Sequence, residues 1–104
     1  MLLDYYQAQA KTTALTASLI DEDYNLFGLC NEAGEVAGVV KKRKRGDTFD
    51  YQDALKKELG DVLWYLARVA DKAGLRLSDV AQANLNKLAD RKTRGVLQGS
   101  GDNR

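Results

Sequence analysis

Apolar residues recur along this chain three and four positions apart, the spacing of one face of an α-helix, in four successive stretches. That spacing predicts helices near residues 4–17, 23–44, 50–73 and 77–93. Leu3, Tyr6, Ala10, Thr13, Ala14 and Ala17 mark the first, with Asp4 placed to cap it, although its threonines are weak helix formers. The second carries Leu26, Leu29, Cys30, Ala33, Val36, Ala37 and Val40 on one broad face that Gly28, Glu32 and Val39 extend. Leu55, Leu59, Val62, Leu66 and Val69 form the stripe of the third. In the fourth, Leu77, Ala81, Leu85 and Leu88 form a stripe, and Asn84, Lys87 and Arg91 line up beside it.

The segments are separated by glycine and aspartate, since the chain has no proline. Asp21, Glu22 and Asp23 precede the second helix and the cations Lys41 to Arg45 close it before Gly46, both in the sense the helix dipole favours. Asp47 to Asp50 supply caps for the third, which stops at Ala73-Gly74. Connections this short make successive helices antiparallel neighbours, so the expected fold is an all-α, four-helix antiparallel bundle. Residues 1–94 form its single helical domain, and the glycine-rich stretch 95–104 reads as a loop or mobile tail.

Composition narrows the function more than the fold. A chain of 104 residues, 44% apolar and 30% charged, suits one soluble domain. No apolar run could cross a bilayer and no basic-then-apolar leader opens the chain, which leads us to expect a cytoplasmic protein with no membrane partner. A net charge of +1 removes any global argument for a polyanion partner. The absence of histidine excludes a histidine-dependent triad, a zinc site of the usual kind and a Glu-x-x-His di-iron bundle, so a metal here must be held by oxygen. The lone cysteine, Cys30, lies in an apolar stretch and reads as a small buried thiol.

Four acids stand out against this pattern. Glu58 projects among the apolar residues of the third helix with Asp61 at the stripe's edge, and Glu32 interrupts the second, with Glu35 one turn on. Burying an unpaired charge costs several kcal/mol, so something cationic is expected against them. Either pair alone is ordinarily solvated surface; two pairs cutting into apolar stripes on neighbouring helices point to a shared ligand. A hard divalent cation relieves the repulsion of four carboxylates, and magnesium, with manganese as a substitute, suits oxygen ligands and a substrate phosphate.

Lys41, Lys42, Lys44, Lys87 and Arg91 are the available anion contacts, and Asn84 could bond a sugar or base. The plainer alternatives are an interhelical hydrogen bond for Asn84 and surface ion pairs for Lys87 and Arg91. The run Lys41 to Arg45 reads first as a solvated helix end; were it a phosphate-binding patch, a triphosphate would serve as well as a nucleic acid. Tyr65 shares the side of Glu58 and Asp61, whereas Trp64 points away from the core stripe, as interface tryptophans do.

The motifs Gly28-Leu29-Cys30-Asn31-Glu32-Ala33-Gly34-Glu35-Val36, Val40-Lys41-Lys42, Glu58-Leu59-Gly60-Asp61-Val62-Leu63-Trp64-Tyr65-Leu66 and Asn84-Leu85-Asn86-Lys87-Leu88 with Arg91 resemble, in order and spacing, the MazG-like nucleoside triphosphate pyrophosphohydrolases. The resemblance covers about residues 20–94. It implies an all-α homodimer or homotetramer that uses magnesium to hydrolyse a nucleoside triphosphate to the monophosphate and pyrophosphate. Glu32, Glu35, Glu58 and Asp61 would be its metal ligands, and Asn84, Lys87 and Arg91 its nucleotide contacts. Asn31 departs from the pattern, since the family often carries an acid there. A catalytically silent helical oligomer, binding nucleic acid or protein through the basic turn, is the alternative from a different class.

Overall fold

The computed structural model describes residues 1–104 and is all-α. Its helices are α1 (Leu3–Lys11), α2 (Thr16–Ile20), α3 (Glu22–Arg45), α4 (Tyr51–Lys72) and α5 (Leu77–Arg94). The first predicted helix is therefore two. Thr12 and Thr13 turn their hydroxyls back onto the carbonyls of Gln9 (2.6 Å) and Ala10 (3.0 Å), and the chain leaves the helix there before restarting at Thr16.

The long elements end where their capping chemistry says they should. Asp21 accepts from the backbone N–H groups of Asp23 and Tyr24 to start α3, and Gly46 ends it in the left-handed conformation (φ 91°). Asp50 starts α4 by accepting from the Asp53 N–H at 3.0 Å. The tight 46–50 connection folds α3 and α4 into an antiparallel hairpin, and this pair is the backbone of the molecule. Gly28 leaves room across the pair for Tyr65, whose ring fills the space a Cβ would need.

At the far end of α4 the chain closes on itself through polar contacts. Gln7 of α1 donates to Asp71 Oδ1 (2.7 Å) and the Leu75 carbonyl (2.8 Å), and its Oε1 accepts the Leu77 N–H (2.8 Å). Arg68, almost wholly buried, pairs with Asp71. Asp4 caps α5 rather than its own helix, accepting from the Ser78 N–H at 3.0 Å and hydroxyl at 2.7 Å. Around this junction lies a small core of Ala10, Ala67, Ala70 and Leu77, flanked by Tyr6 and Trp64.

Other expectations need correction. Trp64 does face away from the α3 seam, but α1 covers it, and its Nε1 donates to the Ala10 carbonyl (3.1 Å) and Thr13 Oγ1 (2.9 Å). Cys30 is exposed, because α3 turns Asn25, Gly28, Leu29, Glu32, Val36 and Val39 inward and leaves Leu26, Cys30, Ala33 and Ala37 outside. Leu77 in the first turn of α5 is buried, while Leu85 and Leu88 further along are exposed. The radius of gyration, 16.4 Å, exceeds the roughly 13 Å of a compact chain this long, so the fold is elongated.

Candidate functional site

The antiparallel hairpin sets Glu32 of α3 opposite Glu58 and Asp61 of α4, which lie one turn apart. One carboxylate oxygen from each of the three lies within 4.8 Å of the others. Glu32 and Glu58 are half-buried and Asp61 is exposed. Burial, then the charges of Asp61, Glu58 and Glu35, and finally a hydrogen bond shared with Glu58 all push the Glu32 carboxyl above its ordinary value. No lysine or arginine makes an ion pair with any of the three. The cation expected beside them is not supplied by a side chain.

Glu35 is exposed and stands outside this group of three, though its charge acts on Glu32. Tyr65 borders the group, as its position in the sequence suggests. Burial, a hydrogen bond with Tyr24 and the negative charges of Glu32 and Asp61 hold its phenol above the usual range. Tyr6 is raised as well, by burial and by Asp61. Sequence reasoning missed Tyr6 as a neighbour of Asp61 and Tyr24 as a partner of Tyr65, since only the return of α1 and the hairpin register bring them there.

The cations divide into two sets. Lys41, Lys42 and Lys44 are exposed at the end of α3, where Arg43 lies 4.2 Å over the Tyr51 ring and Arg45 pairs with Asp47 at 2.5 Å. The basic run is thus partly committed within the chain. Lys42 and Glu58 line one cavity of about 350 Å³, together with Thr48 and Phe49, so this lysine shares a depression with a member of the acid group. Asn84 and Lys87 line a different depression of about 520 Å³ with Leu75, Val80 and Ala83, and it shares no residue with the acids. Arg91 is buried beneath the chain that follows α5.

This geometry fits a hard divalent ion: three hard oxygen donors converge from two rigid helices, with no nitrogen or sulfur ligand beside them. The sequence profile of the MazG nucleotide pyrophosphohydrolase domain matches residues 14–96, most of the chain. The chain belongs to the MazG family. Its relatives include the Gene 37 protein of Mycobacterium phage L5, 47% identical over 114 aligned positions that span 100% of both chains. No solved structure matches it. As a MazG domain the chain falls among nucleotide pyrophosphohydrolases, a generally divalent-metal-dependent family, and all four acids and the α5 residues lie inside the matched segment. No helix is long and apolar enough to cross a membrane.

Proposed function

We propose that this MazG domain is a magnesium-dependent nucleoside triphosphate pyrophosphohydrolase that converts a ribo- or deoxyribonucleoside triphosphate to the monophosphate and pyrophosphate. The observation that carries this reading is the meeting of Glu32, Glu58 and Asp61 at one point on the hairpin with no cationic side chain to balance them. These three hold the ion, and Glu35, one turn along α3, completes its ligands or orients the attacking water. When bound, the divalent ion neutralises phosphate charge and lowers the pKa of coordinated water. Manganese substitutes for magnesium at an all-oxygen site.

In the reaction a water oxygen attacks the α-phosphorus, the bond to the α–β bridging oxygen breaks, and pyrophosphate leaves with that oxygen. Lys42, next to Glu58 in a common depression, offsets charge on the phosphate chain, and Lys41 and Lys44 add to the local positive field. Lys87, with Arg91 beside it on α5, contacts the substrate's phosphates as well, Asn84 contacts the rest of the nucleotide, and Tyr65 walls the acid group. The activity would serve to clear unwanted nucleotides from the cytoplasmic pool.

Only 10 of 104 residues are buried, and Leu26, Phe27, Leu59 and Leu66 expose apolar surface along the hairpin. A chain of this size with so small a core gains stability by pairing, so we infer a homodimer or a dimer of dimers that covers this face. The test is a panel of ordinary and damaged nucleoside triphosphates assayed for pyrophosphate release with and without magnesium. Magnesium-dependent pyrophosphate, without orthophosphate, from at least one of them is the expected result. A chain that turns over none of them yet shifts nucleic acid in a salt-sensitive way would replace the enzyme with the basic-turn binder.

A further inference from the structure

We propose that the segment after α5 is a self-inhibiting strap, with Asp102 occupying in cis the cations that a substrate's phosphates would use. The inference rests on the reading of Lys87 and Arg91 as phosphate contacts. Arg91 is only 4% exposed, whereas residues 84–90 preceding it on α5 are all exposed. What covers it is the tail. Its guanidinium donates to the Asp102 carbonyl at 2.8 Å and to Asp102 Oδ1 and the Gly101 carbonyl at 3.4 Å. Lys87, one turn earlier, donates to the same Oδ1 at 3.4 Å. Asp102 therefore bridges both cations, and they in turn hold its carboxyl below the usual range.

The return path is built into the backbone. Gly95, Gly99 and Gly101 have φ values of 74°, 128° and 87°, left-handed conformations that an L side chain would strain. They reverse the chain after α5 so that Asp102 lies back along it. Arg104 fixes the loop by donating to the carbonyls of Gly101 (2.7 Å), Leu97 (3.0 Å) and Val96 (3.1 Å), while Arg94 donates to the Arg104 carbonyl (2.6 Å). The strap is thus ordered by its own contacts, yet the Asp102 side chain is 85% exposed. A carboxylate and a phosphate make the same charge-assisted bonds to these cations, and a solvated carboxylate is displaced at small cost by a ligand of higher charge.

The test is titration of the full chain with inorganic tripolyphosphate in EDTA at low ionic strength, followed by NMR of the Gly101 and Asp102 amides. With no divalent ion present, only the chain's own cations contribute. The expected result is that tripolyphosphate shifts these amides toward random-coil positions and that Asp102→Asn binds it about three- to fivefold more tightly, the scale of one exposed ion pair. Lys87→Gln should bind it several-fold more weakly. An unchanged or weaker affinity in Asp102→Asn would overturn the strap, because a tail that merely clamps α5 competes with nothing. Wild-type affinity in Lys87→Gln would overturn it too. Failure of the hydrolytic reading is separate: it is read in magnesium-dependent pyrophosphate release, which this titration does not involve.

Discussion

The two polar regions of this molecule are built on opposite principles. At the end of α4, Gln7, Arg68, Asp71, Asp4 and Ser78 draw α1 and α5 onto α4 with donors and acceptors that match, cation against anion and carbonyl against amide. Midway along the hairpin, Glu32, Glu58 and Asp61 bring three groups of one sign together, and no side chain answers them. The first arrangement answers nearly all of its own groups, the buried Arg68 Nε being left without a partner, and holds the fold. The second raises the energy of the chain alone and would be relieved by a bound cation, as the proposed function requires.

Substitutions sharpen that contrast in opposite directions. The largest effect is expected in the acid group: Glu58→Gln should lower pyrophosphate release by a factor of about 100 or more while leaving the melting temperature of the metal-free protein unchanged or higher, since it removes repulsion. Turnover assays beside thermal melts in EDTA measure both. In the closed junction the sign reverses. Gln7→Ala strands the Leu77 N–H and the Leu75 carbonyl, and should cost about 3 kcal/mol in a denaturant titration.

Gly28→Ala tests the seam on which the acids depend. The added methyl would overlap the Tyr65 ring, and about 2 kcal/mol of destabilisation is expected, with turnover falling as the two helices part. The smallest effect is a pH dependence in the junction. The Ser78 hydroxyl and N–H bonds, with Arg76, hold the Asp4 carboxyl below its usual 3.8. A lowered folded value means that Asp4 contributes stability above pH 3.8 and loses it as pH falls through the folded value. Melts of wild type and Asp4→Asn should therefore differ at neutral pH and converge in acid.

Much of this was legible in the chain itself. The spacing of apolar residues located α3, α4 and α5 to within a residue or two, because α3 and α4 carry local caps in Asp21, Gly46 and Asp50, Gly74 follows α4, and Gly95 ends α5. The acid group was legible as charge interrupting two apolar stripes. What escaped was set by distant parts of the chain. Asp4 reads locally as a cap for α1, yet it caps α5, 74 residues on. Trp64 reads as an interface residue until α1 comes back over it. Arg91 and Lys87 read as anion contacts or surface ion pairs, and their partner in the chain shows only when the tail folds onto them. Glu35, three positions beyond Glu32, is rotated about 60° around the helix from it, enough to leave it facing solvent while Glu32 faces the seam.

On the proposed function, Glu32, Glu58 and Asp61 act together as one divalent-ion site. Electron paramagnetic resonance of Mn2+ titrated into the wild-type chain and into Glu32→Gln, Glu58→Gln and Asp61→Asn measures it without reference to any substrate. Saturable binding by the wild type, competed by Mg2+ and weakened about tenfold or more by each substitution, is the expected result. Equal Mn2+ affinity in all four proteins would contradict it.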